Sequence, residues 1–375
     1  MRRRRLARHQ LSRPSGAGIA AVAGAIGTVH AQMQHAAELA LALRCADVTR
    51  ADVQRALWHD RTLVRTYGVR GTIHLIPATE LDLWLTALRA LPAPRQPTDP
   101  AQQLGPAKMV QLVDAIGEAI ASADPSVGLD RDALGKLVLP QVGAWAREAT
   151  VPMFGGLAPA WTCGIGAAAA EGRLVLGRAA RHRTAYLPRA GAPQDVDPDG
   201  AVAEVVRRFL HVYGPATQQD LVRWFRTTPA AAKAALDRAE AVPAKVEGTV
   251  AWVLDGDDVA GADDDIAAGV HLLGHFDAFL VGSRPREQLV PSQHATRLLR
   301  TGASGPVPAV VIDGVASGVW THAESGAREQ VTVEPFGRLT RSQRDGLAAA
   351  VRRVGRALGR EAELTVGPVE VRPHL

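Results

Sequence analysis

The sequence predicts an α+β chain, with three tandem units of short helices each closed by a β-ribbon, followed by a C-terminal mixed β-domain. Two patterns predict this class. A helix-then-ribbon order recurs three times before the acidic stretch Asp255 to Asp265, and beyond it the hydrophobic period changes from helical to that of strands. A third observation is size: 375 residues exceed one ordinary core, so roughly two to four compact units are expected. The expected divisions are 1–100 (a basic arm and the first unit), 101–190, 201–260 and 266–375, with Gly191 to Gly200, GAPQDVDPDG, as a linker.

MRRRRLARHQ followed by GAGIAAVAGAIGTVHA imitates a secretory signal, but its middle is Gly and Ala rather than strongly apolar. It reads as a basic arm and a small-residue helix that packs closely against a neighbour. Ile26 to Arg44 then carries His30, Gln32, Gln34 and His35 into a helix that is otherwise apolar from Ala36 onward, with Leu39, Leu43 and Ala46 along one face. Thr49-Arg-Ala-Asp52 has the form of a capping box opening VTRADVQRAL, and LVRTYGVRGTIHLIP is a ribbon with Gly68 and Gly71 as turn points. Helix followed by short ribbon is the order of a winged helix.

The second unit has helices expected at Pro106 to Ala121, Asp130 to Leu139, Trp145 to Ala149 and Gly155 to Ala170. It ends in the hairpin RLVLGRAARHRTAYLP, whose tip carries Arg178, Arg181, His182 and Arg183. The third runs from Val202 to Tyr213, through Thr217-Gln-Gln-Asp220 with LVRWF and PAAAKAALDRAEA, to the strand pair VPAKVEGTVAWVLDG. The C-terminal strands are VHLLGHFDAFLVG, PVPAVVID, GVASGVWTH and QVTVEPF, with Asp313-Gly314 as a hairpin signal. An amphipathic helix from Arg341 to Leu358 and a strand near Leu364 complete the domain.

Composition narrows the function classes. Hydrophobic content of 47% with 22% charge is that of a folded, water-soluble chain. The net charge is +5 and the pI about 9.7; of 43 basic residues four are Lys, leaving 39 Arg. That balance favours an anionic partner and bidentate phosphate or guanine contacts. Cys45 and Cys163 have neither CxxC nor His-rich spacing, so no zinc site and no disulfide framework are expected, in keeping with a reducing cytoplasm. No run approaches the length of a membrane span.

The landmarks GTVHAQ with ELALALR, LVRTYGVRGTIHLIPATELDLWL, YGPATQQDLVRWF, HFDAFLVGSRPR and AVVIDGVASGVW, from about residue 20 to residue 320, resemble the AlkZ-like family of winged-helix DNA glycosylases. The resemblance implies three winged helices around a concave DNA channel and a C-terminal β-domain. It also implies hydrolysis of the bond between an alkylated base and its deoxyribose, in repair or in resistance to a toxin. The family's catalytic pattern, two polar residues flanking an apolar one, fits two registers here. Gln32-Met33-Gln34 reproduces the letters, whereas His30-Ala31-Gln32 follows the Gly27-Thr28-Val29 lead-in. In the family's pattern the second Gln precedes the Arg that closes the helix by twelve positions, and Gln32 to Arg44 is 44 − 32, or twelve. His30 and Gln32 are therefore the expected pair, with Gln34 as a neighbour.

Such a site needs no carboxylate, metal or cofactor for a cationic base. N7-alkylguanine and N3-alkyladenine are good leaving groups before any enzyme acts, and an imidazole and a carboxamide can position water and stabilise an oxocarbenium-like sugar. The expected partner is duplex DNA bearing alkylated purines, bound by a monomer, with no membrane. Arg70, Thr72 and His74, at i, i+2 spacing on the first ribbon, would share a face that the resemblance turns toward DNA; otherwise His74 is a satisfied strand residue. The 178–183 tip reads as a DNA contact or as a solvated turn. Asp277 with Arg284 and Arg286 reads as a structural ion pair, and Trp58, Trp84 and Trp224 as core; Trp320 ends a strand. Two other readings stay open: a winged-helix transcription regulator, which has no use for His30 and Gln32, and a non-catalytic scaffold or catalytically lapsed relative.

Overall fold

The computed structural model describes residues 1–96, 99–153, 156–178, 184–257, 269–299 and 306–370. The chain begins with α1 (Arg2–Arg8), α2 (Ile19–Ala25), β1 (Val29–His30), α3 (Gln34–Ala42) and α4 (Arg50–Trp58), continues into the ribbon β2 (Leu63–Tyr67) and β3 (Ile73–Pro77), and reaches α5 (Leu81–Ala90). β1 joins the ribbon as an edge strand, giving the antiparallel order β1-β3-β2. Thr49 and Asp52 form the expected reciprocal capping box at the start of α4.

The second group comprises α6 (Pro100–Leu104), α7 (Pro106–Ala121), α8 (Arg131–Val142), α9 (Trp145–Glu148), the paired strands β4 (Thr150–Met153) and β5 (Gly156–Pro159), α10 (Cys163–Ala170), and the hairpin β6 (Val175–Arg178) with β7 (Thr184–Leu187). The helix expected from Gly155 is instead a strand followed by a helix that begins at Cys163. Pro159 ends β5, because it has neither the N–H nor the φ freedom to continue a ladder. The third group is α11 (Pro198–Tyr213), α12 (Gln218–Phe225), α13 (Pro229–Arg238), β8 (Val242–Val246) and β9 (Thr249–Val253), with the Thr217–Asp220 capping box in place.

The C-terminal part is a five-stranded sheet backed by one long helix. Its elements are β10 (Val270–Leu273), α14 (Ala278–Gly282), α15 (Ala295–Leu298), β11 (Ala309–Ile312), β12 (Val315–Ser325), β13 (Arg328–Pro335), α16 (Arg341–Leu358) and β14 (Glu361–Val366), with sheet order β10-β11-β12-β13-β14. Asp313 (φ 51°) and Gly314 (φ 83°) make the expected turn, both left-handed as a tight hairpin requires. VHLLGHFDAFLVG is not one strand: β10 ends at Leu273, and Asp277 accepts from the Phe279 N–H to start α14.

Packing crosses the expected divisions. The basic start is not an arm but α1, with Leu6 and Leu11 in one apolar cluster with Leu273, Phe279 and Val311. The Arg5 guanidinium is buried and donates to the carbonyls of Arg284 and Pro215, while Arg8 pairs with Asp257. Trp84 of α5 shares a core with Phe209, Tyr213 and Trp224 of the third group. α3 lies between two cores: Ala37 and Leu41 face α2, α4 and the first ribbon, while Leu39 and Leu43 pack on Leu272, Trp320 and Val331. Trp320 is buried within β12, not at its end, and donates from Nε1 to the Leu273 carbonyl at 2.9 Å. Among the described residues no helix is long and apolar enough to cross a membrane.

Candidate active site

His30 reaches its position on a strand, not in a helix. It sits opposite His74 on β3, and the ladder continues one residue further through the Ala31 N–H, which donates to the Ile73 carbonyl at 2.7 Å. Alternation along this extended segment fixes the side chains. Val29 and Ala31 go into the core under α2 and α3, so His30 and Gln32 share the other face. Gln32 is exposed, and its Oε1 accepts a long 3.4 Å bond from the Ile73 N–H.

The His30 ring is held from two sides. It meets the His74 ring edge-on at 5.3 Å between centroids and the Phe276 ring, tilted, at 4.6 Å. Phe276 adopts φ 56°, a left-handed conformation unfavourable for an aromatic residue. Its neighbour Asp277 anchors it. The Asp277 carboxylate receives both Nη atoms of Arg44, at 2.7 and 2.8 Å, and neither side chain has any solvent exposure. The structural partner of Asp277 is thus Arg44 at the end of the α3 segment. The loop arginines Arg284 and Arg286 were the expected partners, but they make no ion pair with it among the described residues.

Gln34 is the first residue of α3, and its carboxamide is engaged along the helix. Its Nε2 donates at 2.8 Å to Glu38, one turn along. Glu38 is only 1% exposed and also receives Arg50 at 2.9 Å and Gln54 at 3.0 Å. A buried carboxylate needs this many donors. Sequence reading passed over Glu38 as part of an apolar helix, although the i, i+4 spacing from Gln34 was the available signal. It also gave no sign of Phe276.

His74 is buried, and its Nδ1 donates to the Thr72 carbonyl at 2.9 Å. Burial, reinforced by Arg70 and His30, holds it well below the ordinary histidine range. His9 is held down in the same way by burial beside Arg44 and Arg5, and His271 is pushed to about 4 by burial and by Arg353. In each case the unfolded chain takes up the proton first. Stability is therefore complete above the ordinary value of 6.5 and is lost as pH falls below it, for His271 down to about 4, by on the order of 1 kcal/mol per pH unit per histidine. Melting temperature recorded from pH 7.5 down to 4.5 should fall through this window, and His271→Gln should flatten the slope; a temperature that holds or rises on acidification contradicts the assignment.

The backbone at Gly68 fits against His74. A Cβ there would lie 3.0 Å from His74 Nδ1 and 3.1 Å from its Cβ. Gly68→Val should displace the ring on which His30 rests, costing about 1–3 kcal/mol in a denaturant titration together with a loss of turnover. Unchanged stability would mean that the turn yields instead.

Arg70 does not share the ribbon face of Thr72 and His74. Residues 69–71 form a single 3₁₀ turn with Arg70 at φ 62°; its guanidinium lies 4.5 Å from the Trp224 ring centroid and is held to about 10 by burial. Thr72 donates its hydroxyl to the Val69 carbonyl, while His74 points into the interior. The turn breaks the alternation on which a shared face depends. Arg178 is exposed at the end of β6; Arg181, His182 and Arg183 lie outside the described residues.

Comparison with known proteins adds three findings. The family model described as DNA glycosylase AlkZ-like matches residues 23–357. This chain belongs to the AlkZ-like DNA glycosylase family. It is similar to the interstrand DNA cross-link repair glycosylase of Streptomyces sahachiroi, at 28% identity over 326 residues and 84% of each chain. It is also similar to the solved structure of the Streptomyces sahachiroi DNA glycosylase AlkZ, at a TM-score of 0.75 and 25% identity over 98% of each chain. As an AlkZ-like glycosylase it is a hydrolase of N-glycosidic bonds in DNA, and the family match runs through His30, Gln32, Gln34 and the whole α3 segment.

Proposed function

We propose that this glycosylase is monofunctional and acts as a monomer on cationic alkylated purines in duplex DNA, 7-alkylguanine foremost, with His30 and Gln32 as the catalytic pair. The observation that carries this reading is the alternation at β1. His30 and Gln32 project from one face with Ala31 buried between them, whereas the carboxamide of Gln34 is engaged by Glu38. His30 and Gln32 then orient a water toward the anomeric carbon and stabilise the sugar cation as the base departs with its electron pair. The Ile73 N–H on the Gln32 Oε1 and the two rings around His30 reduce the rotation that must be frozen at that step.

The three helix-and-ribbon groups are read as winged-helix units lining a concave DNA channel. Arg178, together with Arg181, His182 and Arg183, contacts the duplex; Arg70 and Thr72 border the channel; and His74 acts only as the floor beneath His30. The name of the Streptomyces sahachiroi relative extends the proposed substrates to bases joined in an interstrand cross-link. A site without a general acid gives little help to an uncharged leaving group, so selectivity is the test. Base release from duplexes carrying 7-methylguanine should far exceed release from unmodified DNA, and equal release from both would contradict the reading.

A further inference from the structure

On the face of the first sheet opposite His30 lies a cavity of about 330 Å³, walled by Leu57, Leu63, Leu176 and Leu187 and closed on one side by Trp58. Strand register separates it from the active site. Thr66, His74 and His30 form one row across β2, β3 and β1, whereas Arg65 stands opposite Leu75 and so emerges on the other face.

Arg65 lines this cavity and is only 7% exposed. Among the described residues no hydrogen bond or ion pair reaches its guanidinium, and its Nε is enclosed without a partner, as is Nε1 of Trp58. The nearby carboxylate of Glu38 is already taken by Arg50, Gln34 and Gln54. Burial holds the Arg65 guanidinium below its ordinary value, against the opposing pull of Tyr67, Tyr186 and Glu38. Arg61 and Arg178, both exposed, add positive charge at the rim. A buried guanidinium left unpaired is destabilising, so one facing an apolar cavity has its natural complement in an anion that brings its own apolar body.

We propose that this cavity is a second binding site, for a small organic monoanion: an apolar ring or chain bearing one carboxylate or sulfonate. The acidic group pairs with Arg65 and accepts from Trp58 Nε1, while the apolar body packs on the leucines. The site stands independently of the His30 and Gln32 assignment, because the sheet lies between them.

The test is a fluorescence titration of the full chain with 8-anilinonaphthalene-1-sulfonate, with decanoate as competitor. Saturable binding is expected, displaced by decanoate and weakened at least tenfold in Arg65→Met and in Ala190→Trp, which fills the exposed mouth of the cavity. Arg65→Met without probe should also melt higher, by roughly a few degrees. Affinity within twofold of wild type in both variants would overturn the proposal. So would a lower melting temperature for Arg65→Met, which would assign the guanidinium a structural partner, or displacement by short duplex DNA but not by decanoate.

Discussion

Asp277→Ala should destabilise the protein by about 3–5 kcal/mol, the largest effect expected of any single substitution outside the core. It would strand Arg44, whose two Nη atoms otherwise donate to Asp277 and, from Nη1, also to the Ala40 carbonyl, with no solvent to replace the lost carboxylate. It also removes the side-chain cap from the Phe279 N–H at the start of α14. Replacing both partners, Arg44→Met with Asp277→Leu, should recover most of that loss, because the desolvation cost disappears together with the attraction. Chemical denaturation of the two variants decides the matter. A single variant within about 1 kcal/mol of wild type would mean that the pair is not closed off from water.

With His30 in the proposed catalytic pair, the Arg44–Asp277 contact is expected to affect activity as well as stability. Arg44 closes the segment that begins at Gln34, and Asp277 follows Phe276, whose strained backbone holds its ring against His30. The double variant, stable but without the fixed geometry, should turn over more slowly than wild type even where it is fully folded.

Local features were legible in the sequence where a short-range rule governs. α7 and α16 occupy the ranges that periodicity set, and Thr49 and Thr217 cap α4 and α12 as their spacing to an acidic residue requires. Long-range arrangements were not legible. A two-residue strand such as β1 has no period to detect, so His30 was placed in a helix. The Arg44 to Asp277 contact spans 233 residues, and nothing local distinguishes Arg44 from the other arginines or Asp277 from other helix caps. The Arg70 turn is set by packing on Trp224, which comes from the third group. The candidate pair was named from the family resemblance, twelve positions back from Arg44, and not from any local rule.

The most direct measurement of the central claim is release of 7-methylguanine from duplex DNA under single-turnover conditions by wild type, His30→Ala, Gln32→Ala and Gln34→Ala. Loss of one positioned hydrogen-bonding group at such a site costs about 10²–10³ in rate. Gln32→Ala and His30→Ala should each fall by that order, while Gln34→Ala, whose carboxamide serves Glu38, stays within about tenfold of wild type. Collapse of Gln34→Ala with His30→Ala intact would reverse the register and contradict the account.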